Sequence, residues 1–190
     1  MVSYFILTYG CTLNQADTDR IIRILDSSGF ERVNSLSSAD VVVFNTCGVK
    51  EATHNRVIER LKQFKSLGKP VVLTGCMYVN KRDIRRANES IVIVDTNSHD
   101  LIPNAIIDAY RKRTTEYINP YKQKELKEPI VNGVIARVPI SEGCLGNCSF
   151  CFTKIARGRL KSYRLIEIKR AVELAIKHGA KEIQLTAQDT

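Results

Sequence analysis

The sequence predicts an α/β protein: a doubly wound parallel sheet in an N-terminal domain, followed by the first β-α-β of a barrel or half-barrel. Three observations carry this expectation. Short runs that are apolar throughout alternate with longer segments of helical period, the pattern of strands buried on both faces between helices. The alternation stops between 113 and 133, where charged residues with Pro120 and Pro129 replace it. It resumes over 134–186 with a fresh strand, helix and strand.

Residues 4–9 (YFILTY) read as a buried strand. Residues 14–28 follow as a helix with Ile21, Ile22, Ile24 and Leu25 in helical spacing, ended by Gly29. The unit repeats with a strand at 40–45 (DVVVFN) and a helix at 50–66 that stops near Gly68 and Pro70. Residues 71–74 (VVLT) open a third unit, with a helix from about 78 to 88. A strand at 91–94 and a helix from about 99 to 111 complete the series. Residues 1–112 are thus expected to form the first domain and 113–133 a linker, with Tyr117, Ile118 and Tyr121 positioned to dock on a neighbour. In the second domain, 134–190, a strand at 134–140, an amphipathic helix at 165–178 and a strand at 182–186 are expected. This domain reads as incomplete, with no further strands to close its sheet.

The composition limits the function classes. With 190 residues and 44% apolar content the chain has ample material for a packed core. No apolar run approaches the roughly 18 to 20 residues that cross a bilayer, and the first residues lack the basic region of a signal peptide. A cytoplasmic location without membrane partners is therefore expected. Six cysteines in such a chain point to metal ligation or redox chemistry rather than a disulfide framework. The formal charge of +9 favours a polyanionic partner, since neutralising phosphates is the main sequence-independent term in nucleic-acid binding.

The cysteines fall into two groups of three. Cys144, Cys148 and Cys151 have the spacing C-x3-C-x2-C directly after the strand at 134–140. Three thiolates can hold three irons of a cubane cluster and leave the fourth open. A structural zinc site takes four protein ligands, and three thiols cannot all pair as disulfides. Cys11, Cys47 and Cys76 each lie just past one of the first three strands. In a parallel sheet those ends open on one edge, with neighbouring strands about 5 Å apart, so the thiols should converge as a second metal centre. Each has an adjacent glycine, Gly10, Gly48 or Gly75, that would let backbone approach a bulky ligand. The plainer alternative is that each cysteine is a small residue filling space at a strand end.

Basic residues cluster around and after the second cysteine group: Lys154, Arg157, Arg159, Lys161, Arg164, Lys169 and Arg170. Of these, Lys154, Arg157 and Arg159 are the candidates for substrate or RNA contact. Lys81, Arg82, Arg85 and Arg86 form another basic group, read as a solvated helix face, and His54 and His99 are read as helix-surface or capping residues.

Taken together, Thr8-Tyr9-Gly10-Cys11-Thr12-Leu13-Asn14, Asn45-Thr46-Cys47-Gly48-Val49, Thr74-Gly75-Cys76 and Ser141-Glu142-Gly143-Cys144 resemble the motifs of the radical S-adenosylmethionine (SAM) methylthiotransferase family. The cysteine loop with Phe150 before its last cysteine is similar to the radical SAM signature. Residues 153–158 (TKIARG) and 186–190 (TAQDT) look most like the archaeal and eukaryotic branch acting on threonylcarbamoyladenosine in tRNA. The resemblance implies that the second domain begins a partial radical SAM (β/α) barrel and that the chain is a fragment of a longer enzyme. It implies two 4Fe-4S clusters, one on Cys144, Cys148 and Cys151, which binds SAM at its free iron, and an auxiliary one on Cys11, Cys47 and Cys76. A deoxyadenosyl radical would take hydrogen from C2 of the adenine, the auxiliary cluster would supply a methylated sulfur, and a second SAM would donate the methyl group. Phe150 would pack near the SAM adenine, with Gln188 and Asp189 orienting SAM or substrate. The implied partners are tRNA, an electron donor and a sulfur source. Isopentenyladenosine in tRNA and a ribosomal-protein aspartate are alternative targets within the family. Outside it stands a non-catalytic iron-sulfur or zinc module that binds RNA.

Overall fold

The structure is a computed structural model that describes residues 1–49, 51–119 and 124–188. Its larger sheet contains six strands: β1 (Ser3–Tyr9), β2 (Glu31–Arg32), β3 (Val41–Thr46), β4 (Val71–Gly75), β5 (Val92–Val94) and β6 (Glu116–Tyr117). All pair in parallel, in the order β2-β1-β3-β4-β5-β6. The direction of winding reverses between β1 and β3, and in a doubly wound sheet the crevice at such a switch point is where ligands bind.

Side-chain alternation along the strands divides the core in two. Val41 and Val43 of β3, with Val72 and Val92, face Ile21 and Leu25 of α1 (Thr12–Ser27) and Ile102 and Ile106 of α4 (Ile102–Tyr110). Val42 and Phe44, with Leu73 and Ile93, face Val57, Leu61 and Phe64 of α2 (Glu51–Ser66) and Ile84 of α3 (Lys81–Ala87). Phe64 meets the Phe44 ring edge-on, with centroids 5.6 Å apart. The expected doubly wound plan is thus present. Two short edge strands, β2 and β6, extend it beyond the sequence expectation, and a 3-10 turn at Cys76–Val79 precedes α3, which starts later than expected.

The second sheet has the order β11-β8-β7, built from β7 (Val131–Asn132), β8 (Ile135–Pro139) and β11 (Glu182–Thr186). β8 and β11 run parallel in register from Ile135 opposite Glu182 to Pro139 opposite Thr186, with α6 (Leu165–Lys177) between them in the chain. This is the expected β-α-β. Two further pieces carry the cysteine loop: an antiparallel pair, β9 (Ser141–Glu142) with β10 (Lys161–Ser162), and the six-residue helix α5 (Phe152–Arg157).

The segment expected as a linker is tied down on both sides. It contributes β6 to the larger sheet, and Arg20 and Arg23 of α1 donate to the carbonyls of Glu125 and Pro129. Tyr117 docks as expected, its hydroxyl donating to Asp108 at 2.8 Å, whereas Tyr121 lies outside the described residues. Among the described residues, no helix is long and apolar enough to cross a membrane.

Candidate functional site

Cys11, Cys47 and Cys76 follow the C-terminal ends of β1, β3 and β4, three neighbours in the sheet. Register puts Tyr9 beside Thr46 and Thr46 beside Gly75, so Cys47 and Cys76 leave adjacent strands at the same level. Cys11, two residues past Tyr9, leads into α1. The trio therefore spans the switch point. Cys11 is exposed, Cys47 half-buried and Cys76 buried, and all three are free thiols.

Side chains from the same motifs hold these strand ends together. Asn14 donates to Asn45 Oδ1 at 3.3 Å and to the Thr46 carbonyl at 3.2 Å, and Asn45 returns a bond to the Asn14 carbonyl at 2.6 Å. Thr46 Oγ1 donates to the Thr74 carbonyl at 2.6 Å. Cys11 Sγ lies 3.2 Å from Asn14 Oδ1. Buried polar groups demand partners, so this network fixes where the three loops leave the sheet.

The adjacent glycines serve chain packing. Gly75 has φ +83°, and a Cβ there would stand 2.2 Å from the Thr46 carbonyl oxygen. A Cβ at Gly10 would meet the Asn14 side chain at 2.5 Å, and one at Gly48 would meet the Phe152 ring at 2.7 Å. The expectation that they make room for a bulky ligand is thus replaced by close approach of protein to protein.

The second trio occupies the corresponding edge of the smaller sheet, past the C-terminal end of β8. The Cys151 amide donates to the Cys148 carbonyl, and the Gly146 amide points at Cys144 Sγ at 3.2 Å, wrapping the loop around its own sulfurs. Lys154 straps the loop through the Gly146 carbonyl and Asn147 Oδ1. Gln188, just past β11, accepts from the Gly143 amide at 3.1 Å. Asp189 lies outside the described residues. Phe150 is 87% exposed on the loop, and Arg159 is exposed as well.

Arg157 is placed differently from its expected phosphate contact. It is only 3% exposed, and its guanidinium is occupied within the protein. Nη2 donates to Asp17 Oδ2 at 2.7 Å, Nη1 to Glu142 Oε2 at 3.1 Å and Nε to Cys76 Sγ at 3.2 Å. Lys124 takes the other oxygens of the same carboxylates, Asp17 Oδ1 at 2.8 Å and Glu142 Oε1 at 3.1 Å. Two cations and two carboxylates form a balanced buried quartet from α1, the 113–133 segment, β9 and α5. Burial raises the Asp17 pKa, but Arg157 and then Lys124 outweigh it and hold this carboxyl below its ordinary value. Burial pushes the Cys76 thiol up, with Arg157 opposing.

His99 abuts the quartet rather than the surface. It is completely buried, 3.7 Å from Asp17 Oδ1, and burial followed by Lys124 keeps its pKa well below the ordinary value. The basic group on α3 is partly committed to Glu116, which pairs with Lys81 at 2.6 Å and Arg85 at 3.1 Å.

Through α5 the two trios share a wall. Phe152, one residue after Cys151, packs on Gly48, one residue after Cys47. The Ala156 carbonyl accepts from Thr96 Oγ1 at 2.7 Å, and Arg157 reaches Cys76. Among the described residues, no three His, Cys, Asp or Glu side chains gather closely enough for a single ion. A cubane asks for a different arrangement, with one thiolate on each of three irons, and soft free thiols at a switch-point edge suit iron-sulfur chemistry.

Comparison with known proteins agrees with these motifs. Residues 3–95 match the family described as "Uncharacterized protein family UPF0004". A "Probable threonylcarbamoyladenosine tRNA methylthiotransferase" from Archaeoglobus fulgidus is 43% identical over 191 residues, covering 96% of this chain and 43% of that protein. The protein of the same name from Methanocaldococcus jannaschii is 40% identical, with the same coverage of 96% and 43%. A "tRNA-2-methylthio-N(6)-dimethylallyladenosine synthase" from Syntrophomonas wolfei is 33% identical, covering 99% of this chain and 45% of that protein. The chain thus spans less than half the length of these curated relatives. It carries a UPF0004 domain at residues 3–95, and its similarity to proteins named as methylthiotransferases runs on through the second cysteine loop.

Proposed function

We propose that this chain is the cluster-bearing part of a tRNA methylthiotransferase that adds a methylthio group to C2 of threonylcarbamoyladenosine next to the anticodon. One observation carries the proposal: two cysteine trios, each past the C-terminal ends of parallel strands, are joined by the six-residue helix α5. In this reading 1–112 carries the auxiliary site, 113–133 connects, and 134–190 begins the radical SAM domain. Cys144, Cys148 and Cys151 would hold a 4Fe-4S cluster that binds SAM, and Cys11, Cys47 and Cys76 a second one. When bound, these groups supply the electron, the radical and the sulfur.

The protein's own residues hold, orient and shield. The Asn14–Asn45 and Thr46–Thr74 bonds fix the spacing of the first trio. Lys154 and the Gly143–Gln188 bond shape the second loop. Phe150, exposed beside Cys151, offers an aromatic face for the SAM adenine, and Asp189 would act with Gln188 on SAM or substrate. Arg159, exposed after α5, is left as a cation for tRNA phosphate, and Lys154, bonded to the second loop, is the other candidate. An electron donor and a sulfur source complete the partners, and the cytoplasm is the proposed location.

The threonylcarbamoyladenosine target rests on the identities of 43% and 40%, against 33% for the dimethylallyladenosine synthase, which supports the second reading of the target. Anaerobic reconstitution with iron counting and Mössbauer spectroscopy tests the cofactors. About eight irons per chain are expected, falling to about four when Cys11, Cys47 and Cys76 are all alanine. Loading of zinc alone, or no iron loss in that variant, overturns the proposal. A change in the EPR spectrum on adding SAM separates an enzyme from a non-catalytic module. Loss of methylthiolated threonylcarbamoyladenosine from tRNA in a strain lacking the gene identifies the target.

A further inference from the structure

We propose that Arg157 is a positioning residue for the site of Cys11, Cys47 and Cys76, gripping the Cys76 sulfur from the other cysteine loop's helix and so tying the two sites together. This rests on the reading of that trio as cluster ligands.

The guanidinium is planar, and its donors point in fixed directions. Asp17 and Glu142 take the two terminal nitrogens at 2.7 and 3.1 Å. Their second oxygens are held by Lys124, so neither carboxylate is free to turn. The plane of Arg157 is therefore set before Cys76 is considered. Its remaining edge, Nε–H, is aimed at Cys76 Sγ, 3.2 Å away. Both residues are only 3% exposed, and a hydrogen bond of this type is stronger where water is excluded. Lysine could keep the charge but not three directed bonds in one plane.

The trio is consequently asymmetric. Cys11 is solvent-exposed and meets a neutral amide oxygen, whereas Cys76 is buried against a cation. A cationic donor on a ligating sulfur stabilises the more negative, reduced state and raises the reduction potential. Arg157 ends the helix that begins after Cys151, so a shift of the second loop is felt at Cys76 within six residues of rigid backbone.

The test uses the full chain with Cys144, Cys148 and Cys151 changed to alanine, leaving one trio, and compares Arg157 with Arg157→Lys. After reconstitution, an EPR-monitored redox titration should give equal iron but a more negative midpoint potential for Arg157→Lys. In the metal-free protein, mass spectrometry should find alkylation of Cys76 by iodoacetamide about tenfold slower in Arg157→Lys, with Cys47 unchanged, because the lost bond to a charged donor no longer favours the reactive thiolate. An unchanged potential at equal iron, or an unchanged Cys76 rate, overturns the proposal. If Arg157→Lys does not fold, Glu142→Asp, which keeps the charge but shortens the reach, carries the same comparison, with a fall at Cys76 of about threefold expected for a loosened guanidinium and no fall refuting it. If the parent takes up no iron, the cluster reading fails, and the metal-free alkylation alone decides the positioning role.

Discussion

Asp17 and Arg157, 140 positions apart in the chain, meet through a 2.7 Å bond with both side chains buried. Removing one member of such a pair leaves an uncompensated buried charge and typically costs about 3–5 kcal/mol. Asp17→Asn should destabilise the folded chain by that amount, measured by chemical denaturation at neutral pH. A loss below about 1 kcal/mol, the range of surface ion pairs, would contradict the buried geometry.

The same neighbourhood sets a pH dependence. Burial keeps folded His99 neutral below its ordinary value of 6.5, so under acid conditions the unfolded chain binds a proton that the folded chain refuses. Its contribution is complete above about pH 6.5 and declines as pH falls. The lowered Asp17 pKa acts in the same sense, with stability present above the ordinary 3.8 and lost below it. Asp19, pushed by burial up to about 6 against Arg137, acts oppositely: its contribution is present below 3.8 and lost as pH rises through 6. His99→Leu should therefore remove a fall in stability between pH 7 and pH 5. Taking the difference between wild type and variant cancels the Asp19 slope, and denaturation curves of metal-free protein at three pH values would reveal it.

Gly75 is irreplaceable on backbone grounds. Alanine would need φ +83° and would collide with the Thr46 carbonyl, so Gly75→Ala should cost at least about 2 kcal/mol and reduce iron uptake at the first trio. Gly68, at φ +63° with open space around it, is the control: alanine there should cost about 1 kcal/mol and leave iron uptake intact. Equal effects at the two positions would discount the Thr46 contact.

A substitution at Phe150 tests the proposed contact with SAM apart from folding. Because it is 87% exposed, Phe150→Ala should leave the thermal midpoint and iron content unchanged. Losing an aromatic stacking partner should weaken SAM binding about three- to tenfold, read from the SAM concentration needed to change the cluster's EPR signal. Unaltered SAM affinity would remove Phe150 from the site.

What the sequence made legible was local and periodic. The apolar runs at 41–44, 71–73 and 91–94 marked the central strands, and the cysteines just past β1, β3 and β4 placed the first trio on one edge. Two-residue strands such as β2 and β6 carry no period, and α5 is too short to display one. Arg157 looked like one more cation in a basic stretch, because pairing with Asp17 and Glu142 depends on contacts far apart in sequence. A clue was available in α1. Asp17 lies four residues after Leu13 and four before Ile21, which places a carboxylate on the helix's buried face and implies a cation opposite.

The six-stranded sheet has every strand its topology needs, yet α5 closes its surface over Cys76. Expressed by itself, 1–112 would lack Lys124, Glu142 and Arg157 and leave the Asp17 carboxylate facing solvent without its cations. The unit of assembly is therefore the pair of sheets, and the first sheet is a receptor awaiting a plug from its own downstream chain. Supplied as a separate piece, 124–188 would be expected to reassociate with it, as a severed enzyme regains its form by complementation.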